Sequence, residues 1–100
     1  MVRFWKKRRG SDAADPLVFV MRNMFDGELV TTVYHESDGD WQYITGSSPE
    51  PDPNDAQMVH QSHVYQADPS LRELHSMPSG TWAVREARGG PWTFGKEHHH

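Results

Sequence analysis

Apolar residues in this chain fall in short alternating runs separated by turn formers, the pattern of a small β-rich domain. Between Asp38-Gly39 and Gly46, residues Trp41, Tyr43 and Thr45 share one face of a predicted strand, and Gln42 and Ile44 the other. With bulky residues on both faces, this strand is expected inside a sheet rather than at its edge. Residues 17–21 (Leu, Val, Phe, Val, Met) are apolar on both faces and predict a second central strand. Asp26-Gly27 is a favoured hairpin dipeptide. It precedes residues 29–35, where Leu29, Thr31, Val33 and His35 alternate with Val30, Thr32 and Tyr34. The three strands together predict an antiparallel meander.

Pro49, Pro51 and Pro53 alternate through residues 47–54 and impose an extended strap, because each ring fixes φ and removes a donor. A short helix capped by Asn54 or Asp55 is expected to run to Val59, followed by a brief extended piece at Val64 and Tyr65. Asp68-Pro69 has the form of a capped helix start, with Leu71, Leu74 and His75 as its inner stripe and Pro78 as its stop. After Ser79-Gly80, residues 81–86 alternate as a strand, and Gly89-Gly90 folds the chain back into Trp92, Thr93 and Phe94. The expected fold class is α+β: a single small domain, with an antiparallel sheet of about five strands and one or two short helices.

One hundred residues suit one modest core, placed here over residues 16–95. Four tryptophans supply buried area that a 35% hydrophobic content would leave short. The absence of cysteine excludes disulfides and thiolate chemistry. No stretch approaches the roughly 20 apolar residues of a spanning helix. The apolar run after the basic start is also too short for a signal peptide, so a soluble cytoplasmic protein is expected. Residues 97–100 read as the remnant of an expression tag and are set aside.

Charge divides the chain sharply. Arg3, Lys6, Lys7, Arg8 and Arg9 are half of all its Lys and Arg, and residues 1–15 are read as a disordered basic arm. Between Arg22 and Arg72 there is no Lys or Arg, whereas Asp26, Glu28, Glu36, Asp38, Asp40, Glu50, Asp52, Asp55 and Asp68 all lie there. A surface of one sign repels nucleic acid and steers a cationic partner toward it; its bland counterpart is a merely solubilising surface.

Three segments carry a resemblance. Asp38-Gly39-Asp40-Trp41-Gln42-Tyr43 with Gly46, then Asp68-Pro69-Ser70-Leu71 with Leu74, then Pro78-Ser79-Gly80-Thr81-Trp82 with Arg85, resemble the pattern of the immunity protein 33 family, a bacterial domain of unknown function. The match spans residues 18–94. Ser47 and Ser48 replace the acidic residues usual after the exit glycine, and Trp82 stands at the small-to-aromatic step after Gly80. The resemblance implies a protein that binds and neutralises a cognate toxin domain encoded beside it, without catalysis.

Other chemistry is thinly represented. His60 and His63 stand three apart and could open a metal site with His35 or His75, but no carboxylate lies at a matching spacing. Asp38 and Asp40 echo a calcium loop, yet the glycine stands between them and Pro49 occupies the closing acid's position. No nucleophile elbow occurs, and Ser62 beside His63 does not make a triad. No catalytic residue, metal site or cofactor is therefore assigned. Trp41 and Trp82 are assigned to the core. The expected partner surface joins Glu36, Asp38 and Asp40 to the strap residues Glu50, Asp52 and Asp55, with Trp92 as a partly exposed anchor. The alternative is a nucleic-acid or anionic-surface adaptor working through the basic arm, with weak and steeply salt-dependent binding.

Overall fold

The computed structural model describes residues 15–46 and 53–96. Among these residues six strands, β1 (Leu17–Met21), β2 (Val30–His35), β3 (Trp41–Thr45), β4 (Ala56–His60), β5 (Thr81–Val84) and β6 (Thr93–Lys96), form one sheet in the order β4-β1-β3-β2-β5-β6. The sheet is mixed: β1 runs parallel to β3, and the other neighbours are antiparallel. An α+β domain is what the chain forms, but the purely antiparallel five-stranded sheet is corrected to six strands, and the opening meander to a sheet in which β3 separates β1 from β2.

The physical reason lies at Gly27. Residues Arg22–Asp26 form a 3-10 turn, and Gly27 at φ +99° ends it, its N–H donating to Met24 O at 3.2 Å while Glu28 N–H donates to Asn23 O at 3.2 Å. Asp-Gly supplies a left-handed glycine to a hairpin and to a helix end alike, and here it serves the helix end. Freed from a hairpin, the doubly apolar β1 takes an interior place beside β3, where parallel pairing suits a strand covered on both faces. Every residue of β3 is buried, as its two-sided pattern predicts.

A second correction concerns residues 54–67. The expected helix to Val59 is strand β4, and the expected extended piece at Val64 and Tyr65 is helix α1 (Gln61–Ala67). Gln61, Val64 and Tyr65 are its buried residues, at i, i+3 and i+4, a helical stripe disguised by its polar first member. The helix receives its cap from far away: the Asp15 carboxylate accepts from Ser62 N–H and Ser62 Oγ–H, both at 2.9 Å. Residues 1–14, and with them most of the expected basic arm, lie outside the described residues, as do residues 47–52 and 97–100.

The helix expected at Asp68-Pro69 is a 3-10 helix, Pro69–Leu74, with Asp68 accepting from Ser70 N–H at 3.1 Å and Pro69 in the first turn. It buries Leu71 and Leu74 in one core cluster with Val18, Val20, Val33, Trp41, Tyr43 and Ala83. Each such leucine, fully buried, contributes about 2 kcal/mol. His75, placed on the inner stripe by spacing, is exposed instead, its Nδ1 lying 3.3 Å from Tyr65 Oη.

Trp82 is also relocated. Register pairs it with Tyr34 and Gly95 on the sheet face opposite the helices, where it is only half-buried and lies outside the core cluster. Its indole lies across Gly95, so that a Cβ on Gly95 would fall inside the ring. We expect Gly95→Ala to displace Trp82 and to cost about 1–3 kcal/mol in urea unfolding, with a red shift in tryptophan emission. Unchanged stability and emission would show that the ring does not rest on Gly95.

Candidate partner-binding surface

The turn joining β2 to β3 places its acids in different environments. Glu36 N–H donates to Asp40 O at 2.7 Å, Gly39 N–H to Glu36 O at 2.8 Å, and Asp40 N–H to Asp38 Oδ1 at 3.2 Å. The Glu36 side chain is buried, 1% exposed, with Gln42 Nε2 donating to its Oε2 at 2.9 Å; Asp40 is 7% exposed. Burial, and then the Glu36 charge, push the Tyr34 hydroxyl above its ordinary range. Of the three turn acids assigned to a partner surface, Asp38 alone is exposed, and Glu36 and Asp40 build the turn.

Asp55 lies at the other end of the sheet. β4 starts beside Met21, where β1 ends, and β1 runs with β3, so Asp55 sits near the exit of β3 while the turn sits at its entrance. About 16 Å of strand separates them. The joined patch expected from sequence is therefore not formed by Asp38 and Asp55; Glu50 and Asp52 lie outside the described residues. Asp26 and Glu28, which follow β1, share the Asp55 end, and all three are exposed and form no ion pair among the described residues. Arg22 is the cation there, its guanidinium donating to Asn54 O at 3.0 Å and Ala56 O at 3.5 Å.

Trp92 packs on the core cluster and is half-buried, with the Arg85 guanidinium 4.4 Å from its ring centroid. Its Nε1 is buried with no hydrogen-bond partner. The ring is therefore committed to a network that sequence reasoning did not assign. Arg85 donates from Nη2 to Asp68 Oδ2 at 2.9 Å, from Nη1 to Ser70 Oγ at 2.7 Å and from Nε to Val30 O at 3.0 Å. Its side chain is 0% exposed, and that of Asp68 5%. Arg88, half exposed, adds a second contact to Asp68 Oδ2 at 2.7 Å. The signal available in sequence was Arg85 on the same strand face as Thr81 and Ala83, a cation pointing inward and so needing an anion.

His60 and His63 approach with ring centroids 6.2 Å apart, and His60 Nδ1 lies 3.0 Å from Asp15 O. Among the described residues, no three His, Asp or Glu side chains converge as metal ligands, and no helix is long and apolar enough to cross a membrane. No family model, curated protein or solved structure matches this chain.

The network sets two expectations. Removing the anion with Asp68→Asn leaves Arg85 buried and uncompensated, a loss of about 3–5 kcal/mol in chemical denaturation, whereas Arg88→Ala is expected to cost at most about 1 kcal/mol. Equal small losses would contradict the placement of Arg85. Burial pushes the Asp68 carboxyl up, but hydrogen bonds from Ser70 and Arg85, with the Arg85 charge, more than reverse this and hold it below the ordinary carboxylate range. A lowered folded value means that this stability is present above the unfolded value and lost as pH falls through the folded one. The difference in stability between the parent and Asp68→Asn should therefore persist at neutral pH and shrink only below about pH 4. A difference that grows on acidification would reverse the sign.

Proposed function

We propose that this domain is a non-enzymatic binding protein, an immunity protein that neutralises a cognate toxin domain in the cytoplasm through its acidic surface. The observation that carries the reading is the exposed set Asp26, Glu28 and Asp55, without an ion pair among the described residues, in a span that has no Lys or Arg between Arg22 and Arg72. Carboxylates held close together repel one another in the free protein, and a cationic partner relieves that repulsion on binding. The segments that carry the family resemblance include much of the scaffold: Asp68 and Arg85 form the buried pair, and Gly39 and Asp40 close the β2–β3 turn. The surface proposed for the partner is shifted toward the Asp26, Glu28 and Asp55 end, with Asp38 as a separate outlying charge.

Charge reversal at Asp26, Glu28 and Asp55 together is expected to slow association with the toxin domain encoded by the neighbouring gene about tenfold at low salt, and less at high salt. Stopped-flow mixing over a salt series measures this. Unchanged kinetics with the fold intact would remove the acidic surface from recognition. Deleting residues 1–10 separates the adaptor reading: an adaptor loses its partner, and an inhibitor using the acidic domain keeps it.

A further inference from the structure

We infer that the outer edge of β6, which no described strand covers, is a self-pairing surface, through which two copies of this chain join their sheets in an antiparallel β6–β6 contact. The inference is independent of the toxin reading and starts from hydrogen-bond parity. Arg85 N–H donates to Thr31 O at 2.9 Å, so the register of β2 with β5 turns the backbone groups of Thr81, Ala83 and Arg85 toward β2 and those of Trp82 and Val84 toward β6. Trp82 pairs with Gly95 and Val84 with Thr93, so the N–H and C=O groups of Phe94 and Lys96 point away from the sheet. An edge of this kind is completed by another strand.

The side chains beside that edge favour a second copy. Phe94, 56% exposed, borders a groove of about 430 Å³ whose lining includes Leu74, Met77 and Pro78, with Glu73 and Lys96 as its charged members. A two-fold axis at Gly95 sets Phe94 opposite Lys96 of the partner subunit, and the reverse, with the outward N–H and C=O groups of Phe94 and Lys96 in each strand engaged. Gly95, lacking a Cβ, lets the strands meet at the axis. Lys96 of the partner subunit then lays its aliphatic stem on Phe94 and carries its ammonium toward Glu73, pairing opposite charges across the contact. The same interaction is made twice, so the assembly closes at two.

The opposite edge differs. Gln61 N–H donates to Pro16 O at 2.9 Å, which by the same parity turns the groups of Ala56, Met58 and His60 outward from β4. There the Arg22 guanidinium already takes the carbonyls of Asn54 and Ala56. A β4–β6 contact between copies would propagate without closing, and this cap stands against it. A contact limited to a four-residue strand and one groove is smaller than the roughly 800 Å² per partner of standard interfaces, so the dimer is weak and concentration-dependent.

Sedimentation velocity on the full chain, from about 10 μM to about 1 mM, reads the equilibrium. We expect a reversible monomer–dimer transition in that range, without larger species. Lys96→Pro removes an outward N–H and the ammonium while sparing the β5–β6 hydrogen bonds, and it should weaken dimerisation at least about tenfold. Glu73→Lys alone should weaken it, and Glu73→Lys with Lys96→Glu should restore it. Circular dichroism checks that each variant keeps the fold. A monomer throughout the range, an open series of oligomers, or a dimer indifferent to these substitutions would overturn the inference.

Discussion

A buried cation is the constraint around which this domain is arranged. Arg85 leaves the end of β5 on the core face, fully enclosed, and a charge in that position is tolerable only when it is paired and hydrogen-bonded. Asp68 answers the charge at Nη2, Ser70 Oγ and Val30 O accept from the other two nitrogens, and Trp92 covers the plane. These partners come from the cap of the 3-10 helix, from β2 and from the approach to β6. One side chain thus fixes how the helical layer sits on the sheet and how the last hairpin folds against both. Hydrophobic burial across the core cluster, to which Leu71, Leu74 and Tyr43 belong, supplies driving force, but it is non-directional. The Asp68–Arg85 pair supplies direction.

The same geometry separates scaffold from surface. Glu36, Asp40 and Asp68 look identical in sequence to their exposed neighbours, yet each is buried and spent on a turn or an ion pair. The exposed carboxylates are those outside such duties, and three of the described ones, Asp26, Glu28 and Asp55, lie at the end of the sheet where β1 ends and β4 begins. Being exposed, they repel one another through water, and salt screens that repulsion. Asp15 caps α1 at the end of the sheet remote from those three carboxylates.

Strand existence was legible wherever period-two patterning was strong. β1, β2, β3, β5 and the final hairpin all follow from alternation, and the Asp68-Pro69 start is visible because cap chemistry is local. Pairing order was not legible, because the left-handed glycine after Asp26 serves a 3-10 end as well as a hairpin, and the choice depends on where the doubly apolar β1 finds cover. α1 was missed because its cap, Asp15, lies far away in sequence and its stripe begins with a glutamine that donates to Tyr43 Oη at 2.8 Å. For the candidate surface, charge sign was legible and exposure was not. Alternation could not tell which carboxylates turn inward, since that depends on partners such as Gln42 and Arg85 brought in by tertiary pairing.

Native-state hydrogen exchange is the most direct measurement of the claim that the Asp68–Arg85 pair locks the helical layer to the sheet. The amides of Ser70 and Leu71, bonded to the Asp68 side chain and carbonyl, and of Arg85, bonded to Thr31 O, report its two sides. If the pair is the lock, these amides exchange only with global unfolding, and their opening free energies fall together as denaturant is added. Exchange at Ser70 and Leu71 through a local opening, several kcal/mol below that of Arg85, would mean that the 3-10 helix lifts away while the sheet stays intact, and the pair would not be the lock.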